Sequence, residues 1–371
     1  MAPRPYFDDA GHVLSFEKVM ELEPLDSTTF RSITAAFSPT EGANGTYGGH
    51  VFTQAAWAAA HTVDEGFLIH NITGWFTLGG MPKEHFTYTV EKIRDGYNYC
   101  TRTVNATQDA SKGIMFTCTC SFKREEGAPF EFQDTVDLKE RYRDVLEGKE
   151  TDPLEHPPAP AQDSEWFRET FLPENPDHFN PISGLHIQKV DMEKFNSSRK
   201  PIDRRQLYFY SLRGSLPLPT APYPPESTFS LTRAANLHAC AHLYASDRNS
   251  LFLIPNHLDR GKEWTRMASL SHTVILHVGI KDLIMTPEPQ IRHPKAHPTK
   301  FDDASLSVCS LEGHAQGDED GREWYMQESW VTRTAGGRGL HTSRMWDPDS
   351  GKHIATTIQD GLIRFKPETK L

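Results

Sequence analysis

From His50 to Val63 the chain reads HVFTQAAWAAAHTV, an apolar, small-residue run opened by Gly48-Gly49 and free of proline. Alanine is the best helix former and its methyl lets a neighbour come close, so this pattern predicts a closely packed helix. Three runs rich in β-branched and aromatic residues follow: Phe86 to Ile93, Asn98 to Thr107 and Ile114 to Phe122. Asp95-Gly96 and the polar stretch Asp109 to Gly113 separate them, which predicts an antiparallel meander after the helix. The plan then recurs. SLTRAANLHACAHLYASD (Ser230 to Asp247) reads as a second helix, and EWYMQESWV, GLHTSRMWD and HIATTIQDGLIR read as its later strands. Setting QDASKGIMFTCTC, from Gln108, on DPDSGKHIATTIQ, from Asp347, matches the last turn of each half without a gap and puts Cys120 opposite Gln359. Two diverged copies of one α+β unit are expected, each a long helix covered by an antiparallel sheet, with the sheets free to join side by side.

A proline-rich stretch, TDPLEHPPAPAQDS (Thr151 to Ser164), divides the copies, since proline fixes φ and lacks a donor. The expected organisation is a first unit over 1–150, a connector over 151–185 and a second unit over 186–371. Within the irregular stretch Glu165 to Pro225, RRQLYFYSLRG reads as a strand carrying Arg213.

Composition narrows the class. A chain of 371 residues with 37% apolar residues can bury two cores, and 24% charged residues keep its exterior wet. A net charge of -11 excludes a global positive field for nucleic acid or an anionic membrane. Phosphate would need a local cluster, and Arg292, Lys295 and Lys300 in the insertion MTPEPQIRHPKAHPTKFDD either form one or decorate a solvated loop. No apolar stretch approaches the roughly 18 residues of a membrane span, and the amino terminus lacks the pattern of a secretory leader. Five cysteines without metal-ligand spacing suit reduced thiols, with Cys118 and Cys120 as neighbours on one strand. No metal or other cofactor is called for. The chain stops at Thr369-Lys370-Leu371, close to a peroxisomal address but with threonine first, so the expected location is peroxisomal or cytoplasmic.

Three polar residues stand out. Asp247 ends the second helix, where the carbonyl-rich end disfavours an acid. Ser269 lies in MASLSHTVILH, at the expected start of a strand. Alternation in IATTIQDGLI sets Ala355, Thr357 and Gln359 on one face and Ile354, Thr356, Ile358 and Asp360 on the other, so Gln359 is a buried amide in need of partners if its face meets the helix. A carboxylate can take a proton from water while a hydroxyl and an amide aim it, which is what hydrolysis of a thioester requires. Gly48-Gly49 offers close backbone approach for oxyanion donors, or else a tight turn before the helix.

These residues resemble the type II acyl-CoA thioesterases, a family of double hotdogs. The likeness runs through Leu22-Glu23-Pro24-Leu25, Tyr47-Gly48-Gly49-His50-Val51, Arg94-Asp95-Gly96 and Thr101-Arg102 in the first half. In the second it runs through Tyr244-Ala245-Ser246-Asp247, Ala268-Ser269-Leu270, Gly336-Gly337-Arg338-Gly339-Leu340 and Gln359-Asp360-Gly361. The resemblance implies hydrolysis of acyl-CoA to free acid and CoA, with Asp247, Ser269 and Gln359 around one water. It implies one site per chain, because Thr62-Val63 and Cys120 replace the acid and the amide in the first half. Gly48, Gly49, His50, His70 and His272 are the candidate substrate-binding residues, and a homodimer is expected by analogy. The family pattern is broken at Ser271, Ile275 and Thr73, which puts substrate preference in question. Release of a polyketide or other specialised thioester, a hotdog hydratase or dehydratase, and a thioester-binding protein without catalysis are the alternatives. His242 reads as a satisfied core histidine rather than a pocket residue.

Overall fold

Alanine-rich segments give two helices that can lie against each other at short range. In the computed structural model, which describes residues 13–39, 45–134, 136–149, 153–219, 230–248, 251–285 and 323–366, the first long helix is Gly48–Ala60 and the second Leu231–Ser246. From Gly49 to Ala60 every side chain of the first is buried, as expected of a helix enclosed on all sides. Ser230 caps the second by accepting the N–H of Arg233 at 3.2 Å, whereas no side chain caps the first at Tyr47. The pair is antiparallel. At one end Gly48 meets Asp247; at the other, Thr232 Oγ1 accepts the N–H of Gly66 at 2.6 Å and the Asn236 amide bonds Phe67 O and Ile69 N.

Around the helices runs one antiparallel sheet. Its described strands are β1 (Leu22–Pro24), β2 (Thr29–Ser32), β3 (Leu68–Phe76), β4 (Thr87–Asp95), β5 (Tyr99–Thr107), β6 (Phe116–Lys123), β7 (Leu185–Lys189), β8 (Gln206–Leu212), β9 (Trp264–Leu276), β10 (Tyr325–Ala335), β11 (Arg338–Trp346) and β12 (His353–Phe365). The order is β1-β2-β4-β5-β6-β3-β9-β12-β11-β10-β8-β7, so the two halves repeat and join edge to edge through β3 and β9. This is the α+β double hotdog expected of two such copies.

Several details depart from the pattern reading. Gly48-Gly49 are the first two residues of the helix itself rather than a turn before it. Strand β3, which carries the seam, breaks the alternation with a bulge between Ile69 and Asn71. Arg213 follows β8 instead of lying in it. Ser269 is in the middle of β9, not at its start. The described part of the connector is not extended throughout: it opens on the 3-10 turn Pro153–Glu155 and coils through short helical turns over Phe167–Phe171, Leu172–Glu174 and Pro176–His178. Between them it is pinned, Ala159 N donating to Ile187 O at 2.9 Å and Lys189 N to Pro157 O at 2.9 Å. Asp163, fully buried, then gathers Lys189 at 2.7 Å, Arg168 at 3.0 Å and the Tyr208 hydroxyl. Cys118 and Cys120 are strand neighbours with sulfurs 3.8 Å apart, and the four described cysteines are free thiols. No described helix is long and apolar enough to cross a membrane. Cys309, the cations Arg292, Lys295 and Lys300, and Thr369-Lys370-Leu371 lie outside the described residues.

Candidate active site

Asp247, Ser269 and Gln359 come from three elements and meet at one point. The Gln359 amide, fully buried, donates from Nε2 to Asp247 Oδ1 at 2.8 Å and to Ser269 Oγ at 2.8 Å. Asp247 is 6% exposed and Ser269 is half-buried. Each is aimed by its local backbone. Asp247 is the C-cap of the second long helix, an unfavourable place for its own dipole, but it lies against the start of the first, where the positive end compensates. Its Oδ2 would be 2.9 Å from a Cβ at Gly48, and the Phe76 ring 3.1 Å, so only glycine admits this approach. Tyr47 locks the two helices here: its hydroxyl donates to Tyr244 O at 2.7 Å, and burial, then the charge of Asp247, push its phenol pKa well up.

Ser269 depends on a bulge. Alternation from His272, which faces the helices, would turn Ser269 to the outer face. Opposite β9, Asp360 pairs with Ser271 and Gly361 with Ser269, so Leu270 is the extra residue that resets the phase. Gln359 needs no such device, because the β12 pattern buries Ala355, Thr357 and Gln359 and leaves Ile358 44% exposed. After Asp247 the chain crosses back over this sheet, and Gly361 makes room for it, since a Cβ there would strike Leu251 at 2.1 Å.

The remaining candidates separate. Gly48 borders Asp247, and Gly49 packs against the Tyr47 ring. His50 is one step further along and turns its ring to Phe37 and Phe86, 5.5 and 6.3 Å between centroids; burial lowers it to about 4. His272 lies opposite Gln359, with Nε2 2.8 Å from Ser246 Oγ and its ring on Phe52, and burial lowers it to about 3. His70 is elsewhere: it bonds Ser121 Oγ at 2.9 Å, roughly 20 Å along the seam from Ser269 at about 3.3 Å per residue. His242 is a core histidine bonded to Tyr210 and to Leu283 O. Ser271, Ile275 and Thr73 all lie on the outer face, where Thr73 bonds Thr273 at 3.2 Å, so the break in the family pattern faces away from the three residues. A cavity of about 590 Å³ lined by Met20, Phe30, Trp57, His61 and Arg233 opens at the other end of the helix pair and does not touch them.

The counterpart of the site lies at that same end, beside the cavity, and there a cation takes the place of the three polar residues. Cys120 stands in the place of Gln359, and beside it on β5 Arg102, 2% exposed, reaches the end of the first long helix. Its guanidinium donates to Thr62 O and Thr62 Oγ1 at 3.0 Å, to Arg94 O at 3.1 Å and to Asp95 Oδ1 at 2.5 Å. A cation there sits just past the helix's C-cap, where it meets the negative end of the dipole. In the sequence Arg102 is one landmark among several, and nothing there marks His341, the other neighbour of Gln359. Both emerge only once strand register is known.

Residues 38–123 match the acyl-CoA thioesterase N-terminal domain family. The whole chain is similar to acyl-coenzyme A thioesterase 8 of Mus musculus, 26% identical over 94% of this chain and 89% of the relative. Half of it is similar to peroxisomal acyl-coenzyme A thioester hydrolase 1 of Saccharomyces cerevisiae, 27% identical over 49% of each. Among solved structures, the acyl-CoA thioesterase II TesB2 of Mycobacterium marinum shares the fold, with a TM-score of 0.57 and 21% identity over 96% of this chain and 99% of that one.

Proposed function

Because this chain belongs to the hotdog acyl-CoA thioesterases of the type II class and is a thioester hydrolase, we propose that it cleaves acyl-CoA with one water held by Asp247, Ser269 and Gln359. The observation that carries this reading is the pair of 2.8 Å bonds by which the Gln359 amide joins Asp247 to Ser269. In this reading the carboxylate of Asp247, whose Oδ2 is turned toward the helix start at Gly48, is the base. It takes a proton from water as the water oxygen adds to the thioester carbonyl carbon, while Ser269 fixes the angle of approach and Gln359, both of whose N–H donors are spent on Asp247 and Ser269, holds those two in place. Charge growing on the carbonyl oxygen meets backbone N–H groups at the start of the first long helix, beside Gly48 and Gly49. The carbon–sulfur bond then breaks, and the proton on Asp247 passes to the departing sulfur. The products are a free acid and CoA, and the scheme calls on no cofactor.

Thiol release from a range of acyl-CoAs by wild type and Asp247→Asn tests this. Asparagine can still accept from Gln359 but cannot take a proton, so kcat should fall about 10²- to 10⁴-fold with the fold intact. A variant that keeps full rate would remove Asp247 from the mechanism.

In this reading the first unit, residues 1–150, supplies the helix start, and the second, residues 186–371, supplies the three side chains across the connector 151–185. A peroxisomal location rests on the carboxyl-terminal Thr369-Lys370-Leu371 and on the yeast relative whose name carries that compartment. Deleting the three residues should disperse a fluorescent fusion into the cytoplasm; an unchanged distribution would dispose of the address. Assembly as a homodimer rests on analogy alone, and sedimentation would decide it.

A further inference from the structure

Gln359 has a histidine directly opposite it on either side, His272 of β9 and His341 of β11, and all three side chains are buried on the helix face. His272 is engaged by Ser246. His341 is 1% exposed, and among the described residues neither of its ring nitrogens has a hydrogen-bond partner. The amide oxygen of Gln359, Oε1, is likewise buried with no partner among the described residues. Polar atoms left unmet in a core cost stability that a leucine in the same place would spare. Cross-strand neighbours keep their Cβ atoms about 5 Å apart, so the ring edge and Oε1 can share one water with polar partners on both sides. Burial holds the His341 ring down to about 3, so it is neutral at working pH, with one N–H donor and one acceptor nitrogen.

We propose that His341 is a positioning residue: through one buried water its ring N–H holds the amide oxygen of Gln359, and so keeps the amide nitrogen on Asp247 and Ser269. The inference rests on the hydrolytic role given above to those three residues. The other half of the molecule supports it. Arg102 faces Cys120 as His341 faces Gln359, so the two occupy equivalent places. The half without the amide has a long cation there, spent on the helix end; the half with it has a short neutral ring.

His341→Leu removes the donor at little change in volume. The expected result is a kcat about tenfold lower with KM and the thermal midpoint unchanged, and recovery of most of the rate in His341→Asn, which restores an N–H donor. In a Gln359→Ala background, His341→Leu should have no further effect, because it acts through the amide. Full rate in His341→Leu, an equal loss in both backgrounds, or a loss that Asn does not rescue and that comes with a lower thermal midpoint would each overturn the proposal. If Gln359→Ala itself keeps full rate, the hydrolytic reading falls and takes this inference with it. A slow Gln359→Ala beside a full-rate His341→Leu would sink this inference alone.

Discussion

Lowering the pH from 7.5 to 5.5 should cost the protein several kcal/mol of stability, on the order of 1 kcal/mol for each of six histidines buried in the neutral form. Burial is the largest cause for each: it brings His50, His238 and His242 to about 4, and His257, His272 and His341 to about 3, from an ordinary 6.5. In the unfolded chain the rings return to 6.5 and take up protons below it, while the folded rings stay bare until the pH nears their own lowered values. Between about 6.5 and 4 the unfolded state therefore binds more protons, and stability falls as pH falls. At pH 5.5 each ring accounts for roughly 1 kcal/mol, and six acting independently for several kcal/mol, against a typical total of about 5–15 kcal/mol. Carboxylates titrate lower, near 4, and leave this window to the histidines. Urea unfolding followed by far-UV circular dichroism at several pH values measures the loss directly. A free energy at pH 5.5 within about 2 kcal/mol of that at pH 7.5 would refute the claim that these rings are held neutral.

Two further outcomes separate activity from stability. Gly48→Ala should change stability little, because the helix propensity gained, at most about 1 kcal/mol and less at a first helical position, is offset by a Cβ 3.1 Å from the Phe76 ring. The same Cβ crowds Asp247 Oδ2 at 2.9 Å, so thiol release should drop about tenfold to a hundredfold; an unchanged rate would mean that the carboxylate has slack there. Arg102→Met does the reverse. It strips the cation from the Thr62 and Arg94 carbonyls and should cost about 3 kcal/mol in urea unfolding, while kcat stays within about twofold because the three candidate catalytic residues lie at the opposite end of the helix pair.

How much of this was legible in the sequence depended on whether the signal was local. Both long helices are written in consecutive small residues, and the β12 alternation alone set Gln359 beside Ala355 and Thr357 on the face that proves buried. Ser269 is the contrary case. Its inward direction is made by one extra residue, Leu270, visible only when β9 is laid against β12. The seam strand β3 hid for a related reason: its bulge after Ile69 and its exposed Trp75 spoil the period-two pattern. His341 and Arg102 carried no sequence cue of their own, since what singles them out is the residue across the strand. The departures at Ser271, Ile275 and Thr73, which on sequence put substrate preference in question, lie on the far side of the sheet from the three residues, because a sequence gives spacing but not which face a bulged strand presents.

Gly48 belongs to one copy of the repeat and Asp247 to the other, and they touch. A chain cut at the connector would thus divide the candidate site itself and leave neither fragment competent, however well each folded. The two copies of the repeat are unequal partners: the first has Thr62-Val63 and Cys120 where the second has Asp247 and Gln359, yet its bare glycine at the other end of the helix serves its neighbour.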